Sequence, residues 1–353
     1  MRKKVVVIGG GSGSFNLLKG LKKYTARNDE DDSIDIKLIA ASTDSGGSSG
    51  VLRDEYGILP YGDIIQGLLA LSEAQEDLRE LLNYRFDNGS LNEHRYGNLT
   101  MLALTNLSKG DEEAALEKAH RIFNVKGRVM PVTKDKAHIS GRYKDGTVLS
   151  REDIIDRFEN PNMTRIERLY PNQNIRANPR ALEALAEADA MIIGPGDLYT
   201  SIICNFLADG MVDAIRDSKA LKIYNCNIMT KPSETPNYSV ADHFNDIEKY
   251  LGSDIINIIT YNNKANLDTK LLQAYKKERK HLVEFREQEL KGRNITLDGR
   301  DMIIEQSILK NLINKSLENN SRLPPIRHDS NKLASLMMEV IFDEKYQNSK
   351  ESS

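Results

Sequence analysis

Val5-Val6-Val7-Ile8-Gly9-Gly10-Gly11-Ser12-Gly13-Ser14-Phe15-Asn16-Leu17-Leu18-Lys19-Gly20-Leu21 is the stretch that decides the fold. Four β-branched residues in a row, without polar alternation, describe a strand buried on both faces. The glycines that follow make a tight turn, after which Phe15, Leu17, Leu18 and Leu21 recur at helical spacing. Strand, glycine turn and helix in this order open a βαβ unit.

Working outward, Ile34 to Ala41 supplies a second strand that ends in the polar, glycine-rich run Ser42 to Gly50. Residues 62–83, 97–109 and 111–123 carry apolar residues at helical spacing. From about 125 to 178 short strand-like pieces, Arg128 to Thr133 and His138 to Tyr143, alternate with turn signals such as Lys144-Asp145-Gly146. Regular order then resumes, with a helix over 181–188, strands at 190–193, 221–226 and 255–261, and a helix over 239–251. Charged segments follow at 264–292 and 301–318, then a proline-containing loop at 323–327 and an amphipathic helix from about Ser330. The alternation predicts an α/β fold: a Rossmann-like, doubly wound, mostly parallel sheet in a three-layer α/β/α sandwich. A single nucleotide-binding domain is expected over 1–320, with a small β-rich insertion at about 125–178, a C-terminal helix over 321–345 packed on it, and a flexible tail at 346–353.

The 353 residues are 39% hydrophobic and 29% charged, which excludes collagen, wholesale disorder and a disulfide scaffold. Lys and Arg number 49 against 52 Asp and Glu, a net charge of -3, so the balance does not suggest a coat for nucleic acid or an anionic membrane. The apolar run after Arg2-Lys3-Lys4 is too short for a signal peptide, and no stretch approaches the roughly 18–20 apolar residues of a membrane span. Two cysteines without metal spacing, Cys204 and Cys226, fit a reducing compartment, and a cytoplasmic location is the expectation.

Three loops carry the candidate chemistry. Gly10, Gly11, Ser12, Gly13 and Ser14 lie between the first strand and helix, where backbone amides and a helix N-terminus hold phosphate. The match to GxGxxG is imperfect, because Ser14 replaces the third glycine, and the alternative is a purely structural turn. Asp44 ends the second strand, where a Rossmann acid meets a ribose or where Mg²⁺ finds a hard oxygen ligand; a turn cap is the plainer reading. Gly46, Gly47, Ser48 and Ser49 follow it with exposed donors, and Arg53 stands ready to pair with an anion. Gly194, Gly196, Asp197, Thr200 and Ser201 form the third loop, again between strand and helix, with a helix cap as the alternative. Asp63 reads equally as metal ligand, base or helix cap, while Asn98 and Asn227 add polar groups near the other loops. Together the loops predict a nucleotide-sized anionic ligand across the carboxyl ends of the sheet. The six scattered histidines and the lack of GxSxG argue against zinc or an activated serine. The basic run Lys276 to Lys280 reads as a solvated helix face.

These segments resemble the family of YvcK-type gluconeogenesis factors and, more distantly, the CofD-type 2-phospho-L-lactate transferases. VVVIGGGSGSFNLLKGL, TDSGGSSGVLRDEYGILPYGDI, NYRFDNGSLNEHRYGNL, GRVMPVT, GPGDLYTSI, NCNIMTKPSET and RHDSNKLA run in family order over nearly the whole chain. The resemblance implies a regulatory protein that binds a UDP-sugar and supports cell shape and wall synthesis during growth on gluconeogenic carbon sources. The CofD-type branch implies instead a Mg²⁺-dependent transfer of a phospholactyl group from a guanosine diphosphate derivative. An NAD(P)-dependent oxidoreductase is the third reading. By motif, Gly10 to Gly13 would hold phosphate, Asp44 and Asp63 would be polar or metal-binding positions, and Gly194, Gly196, Thr200 and Ser201 would complete the cradle. Ser45 departs from a pattern that has a second Asp there, Ile65-Gln66 from Arg-Asn, and Ser233 from glycine. A homodimer is the base expectation for the assembly.

Overall fold

The computed structural model describes residues 1–25, 32–74, 76–264, 267, 269–305, 307–309, 311 and 326–347. The acidic residues 29–31, half of the charged segment 301–318, the start of the proline-containing loop at 323–325 and the tail from 348 lie outside them.

The chain opens with β1 (Arg2–Gly9), α1 (Gly11–Leu21), β2 (Ser33–Ala40), α2 (Gly47–Tyr56), α3 (Gly62–Leu71), α4 (Glu76–Asn83), α5 (Tyr96–Leu107), α6 (Glu112–Ile122) and β3 (Arg128–Pro131). The excursion contains β4 (Ile139–Tyr143), β5 (Val148–Ser150), α7 (Glu152–Arg157) and β6 (Ile166–Pro171). After it come α8 (Pro179–Ala186), β7 (Ala190–Ile193), α9 (Met211–Asp217), β8 (Leu221–Asn225), α10 (Val240–Leu251), β9 (Ile258–Asn262) and β10 (Thr296–Arg300). A C-terminal helix spans Ser330–Phe342.

Seven strands make one parallel sheet in the order β10-β9-β8-β7-β1-β2-β3. Strand order reverses between β1 and β7, the topological switch point at which doubly wound sheets bind ligands. Alternate residues of each strand serve opposite layers, as a period of two requires. Val5 and Val7 pack with α1, α3 and the C-terminal helix through Leu17, Leu18, Ile64, Leu68 and Met337. Val6 and Ile8 join the other core, with Ala181 of α8, Ile215 of α9 and Phe244 of α10. All four strand residues are essentially inaccessible, and each such aliphatic side chain contributes about 1.5–3 kcal/mol when fully buried.

Three elements differ from the sequence expectation. Arg128–Pro131 is the edge strand of the central sheet, paired with β2, rather than part of the excursion. The separate three-stranded antiparallel sheet is β5-β4-β6 alone. The leucine-rich stretch 62–83 is two helices, because the Ser72 hydroxyl leaves the helical pattern to accept the Ala74 N–H and donate to the Phe123 carbonyl. β10 has no counterpart in the expectation. Its sequence, TLDGR, is too polar to read as a buried strand, and it adds to the sheet at an edge where Arg300 pairs with Asp298 and with Glu339 of the C-terminal helix.

The first turn of α1 lies against the loop after β7. A side chain at Gly13 would place its Cβ 2.5 Å from the Pro195 carbonyl oxygen, so only glycine permits this approach. The Ser14 hydroxyl donates to the same carbonyl at 3.3 Å.

Candidate active and ligand-binding site

The loops after β1, β2, β7 and β8 meet at the carboxyl end of the sheet and enclose two adjoining cavities. One, of about 300 Å³, is bounded by Gly10 to Gly13, Gly196 and Asn227, with Ile228, Met229, Tyr275 and Ile326 as its apolar surface. The other, of about 500 Å³, lies on the β2 side and is bounded by Asp44, Gly46 to Ser49, Asp63, Asn98, Thr200 and polar groups of α7. Gly11, Asp156, Asp197 and Ser201 border both cavities.

Most of the residues singled out from sequence face one cavity or the other. Gly194, Ser14 and Arg53 face neither. Arg53 is buried beneath the loop after β2, where its guanidinium donates to the Asp44 carbonyl at 3.0 Å and contacts His138 at 3.1 Å. It braces the loop from behind and does not reach an anion in the cavity. Ser45 also turns away, with its hydroxyl 3.0 Å from His138 Nδ1. A carboxylate at that position would therefore point behind the loop, and the departure from the two-acid pattern leaves the cavity wall unchanged. Asp197 does not cap the helix after it; its carboxylate pairs with Lys231 at 2.7 Å. Asn227 accepts the Gly196 N–H through its side chain at 3.3 Å, tying the loop after β8 to the loop after β7.

Three carboxyl groups converge on the β2-side cavity. Asp44 Oδ1 accepts the Gly46 N–H at 2.8 Å, and Asp44 shares a hydrogen bond with Glu152 of α7. Asp63, in the first turn of α3, accepts the Gly11 N–H at 2.9 Å. Burial, reinforced by the Asp44 charge, raises Asp63 to about 7 and Glu152 to about 9; burial likewise raises Asp44. Among the described residues no ion pair compensates any of the three, but their oxygens do not close into one three-ligand group as those of Asp156, Asp197 and Glu234 do. Asp44 and Asp63, which neighbour each other, are the residues that would hold Mg²⁺, with water completing its oxygen shell.

A second acidic group is built differently. Asp156, Asp197 and Glu234 surround the Lys231 ammonium, which bonds all three, Asp197 and Glu234 each at 2.7 Å. Glu234 is fully buried and also accepts from the Tyr199 and Thr200 amides and the Thr200 hydroxyl. The ammonium already fills the place that a metal would take.

Sequence reasoning missed Glu152, Asp156, Lys231 and Glu234. Glu152 and Asp156 are four apart on one helix and so share a face, a spacing visible in the sequence but lost inside an excursion read as strand. Lys231 and Glu234 lie in the quoted NCNIMTKPSET segment without a motif to mark them.

A family model described as 2-phospho-L-lactate transferase CofD matches residues 5–306. The chain belongs to the CofD family. Similar proteins within that family carry the names "Gluconeogenesis factor" and "Putative gluconeogenesis factor". The Bacillus subtilis protein named "Gluconeogenesis factor" is 34% identical over 343 residues, 96% of this chain and 98% of its own. A Thermotoga maritima relative is 38% identical over 338 residues, covering 96% of this chain and 99% of that one. A crystal structure of a Bacillus halodurans protein superimposes with a TM-score of 0.83 at 32% identity, over 97% of this chain and all of that one. This CofD-family chain therefore has the doubly wound α/β fold that its opening residues predict. No helix among its described residues is long and apolar enough to cross a membrane.

Proposed function

We propose that this CofD-family protein binds a nucleotide-sugar, with a UDP-sugar as the ligand, and acts in the cytoplasm as a regulatory protein of the gluconeogenesis factor type, supporting cell shape and wall synthesis during gluconeogenic growth. The observation that carries the reading is the junction of the two cavities at Gly11, Asp156, Asp197 and Ser201. The smaller cavity offers apolar wall and the glycine-lined N-terminus of α1, suited to a nucleoside and its phosphates, and the larger offers polar side chains, suited to a sugar. A diphosphate laid over the junction joins the two.

The uncompensated acids Asp44 and Asp63 favour a second reading, a Mg²⁺-dependent transferase of the CofD type. Calorimetric titration with UDP-N-acetylglucosamine, UDP-glucose, NAD⁺, NADP⁺, GDP and GTP, each with and without Mg²⁺, followed by product analysis, separates them. UDP-sugar binding without turnover supports the regulator. Guanine-nucleotide preference with released GMP replaces it by the transferase, and binding of NAD⁺ or NADP⁺ alone removes both. Light scattering on the same samples tests the expected homodimer.

A further inference from the structure

The β2-side cavity is lined by arginines as well as acids. Arg95, at the start of α5, lies partly buried there beside Arg85. The Arg95 guanidinium is held in place by neutral acceptors: Asn83 Oδ1 at 2.7 Å and, with the Gln66 amide turned to face it, the Gln66 oxygen at 2.6 and 2.7 Å. Among the described residues Arg95 has no carboxylate partner, and the neighbouring charge that it feels most is the second cation, Arg85. Arg85 is itself weakly matched, with its guanidinium on the Glu93 carbonyl at 2.6 Å and the half-exposed ion pair to Glu93 stretched to 3.9 Å. Asp63 Oδ1 is committed to the Gly11 N–H and, among the described residues, makes no ion pair with Arg95.

Two adjacent guanidinium groups fixed by neutral acceptors in a partly buried wall form a receptor for an oxyanion. Loss of solvation without a counter-ion is unfavourable to Arg95, and an anion brought by the ligand removes that penalty. The acids that line the same cavity limit the charge it can bring. A doubly charged phosphate would meet them at close quarters, whereas a carboxylate adds a single charge.

We propose that Arg95 and Arg85 form a carboxylate subsite, so that the protein selects nucleotide-sugars whose sugar carries an acid group over their neutral counterparts. This rests on the nucleotide-sugar reading above and specifies the sugar end of that ligand. Arg95 makes the principal contact, because it is the more buried and the more firmly held. Arg85 contributes from the rim.

The test compares ligands that differ only in the acid, UDP-glucuronic acid against UDP-glucose and UDP-N-acetylmuramic acid against UDP-N-acetylglucosamine, by calorimetry at fixed salt with Mg²⁺ present. The acid member of at least one pair is expected to bind about ten-fold or more tighter, the size of one charge-assisted hydrogen-bonding contact. In Arg95→Gln the ratio within that pair should fall to about one, and in Arg85→Gln it should fall part-way. The ratio is the readout because a loosened fold weakens both members of a pair together. Equal affinities in the unmodified protein, or a ratio that survives Arg95→Gln, overturn the subsite while leaving the nucleotide-sugar reading in place. Absence of binding by all four ligands overturns both.

Discussion

Asp63 Oδ1 accepts the Gly11 N–H at 2.9 Å, so a carboxylate from α3 occupies an amide at the head of α1 that the glycine loop presents to the cavity. The arrangement sets an internal anion at a helix N-terminus, where the dipole favours it. The same carboxylate faces Asp44, which makes its charge costly. Replacing Asp63 with Asn keeps an acceptor for Gly11 and deletes the charge. The variant is expected to melt higher than the unmodified protein in chelator and to lose at least ten-fold in Mg²⁺ affinity, roughly the effect of one ligand. Thermal melts with and without Mg²⁺ check both halves.

The raised carboxyl groups also fix a pH dependence. Asp63, at about 7, and Glu152, at about 9, hold protons in the folded state that an unfolded chain releases near the ordinary carboxylate range of about 4. Between these limits the folded state binds more protons than the unfolded one, so stability falls as pH rises. His243 and His328, lowered to about 4 by burial, act in the opposite sense, but only below their unfolded value of about 6.5. Over pH 7 to 9 the melting temperature in chelator is therefore expected to decline, and Mg²⁺ should flatten the decline by taking the place of the protons. A rising or flat profile in chelator contradicts the assignment.

Lys231 holds Asp156, Asp197 and the buried Glu234 together. Lys231→Met leaves three acids facing one another, one of them without solvent, and is expected to cost about 3–5 kcal/mol in denaturant unfolding. Adding Glu234→Gln removes the worst of the uncompensated charge, so the double variant should recover part of the loss. Simple addition of the two effects would show that they do not form one network.

Gly20 lies on α1 where the C-terminal helix crosses it. A Cβ there would sit 2.0 Å from the Ser330 carbonyl oxygen and 2.7 Å from the Ala334 side chain. Gly20→Ala improves helix propensity and still is expected to destabilise by about 1–3 kcal/mol, because backbone has to move. Hydrogen exchange should rise across Ser330–Phe342 more than across β7 or β8.

The fold was legible because its central strands carry unbroken apolar runs. Val5 to Ile8 and Ala190 to Ile193 read as buried strands and are so. The excursion was legible as β-rich but not in its connections, since Arg128–Pro131 has the short length and turn flanks of a hairpin strand and only pairing with β2 reveals its sheet. Of the proposed site, the glycine loops and Asp44 announce themselves by composition. Glu152 does not, because its meaning comes from α7 folding back over the loop after β2, a contact of long sequence separation. Arg53 misled for the same reason: an arginine beside an anion-friendly loop reads as a ligand contact, and burial behind the loop depends on His138, which lies in the excursion.

The paired cores give β1 an ambiguity that its own residues do not resolve. Val5, Val6, Val7 and Ile8 are nearly interchangeable in size and shape, yet alternate ones belong to opposite layers. A slip of one position would trade the layers at almost no hydrophobic penalty, whereas in a strand with one wet face the same slip is forbidden. What indexes the strand is its exit. The Gly9 carbonyl is fixed by the Ala41 amide, and Gly13 is the position in the following turn small enough to meet Pro195. The loop offered to a ligand is thus also the alignment mark of the sheet, and a descendant that lost its ligand would still have to keep those glycines in order to fold.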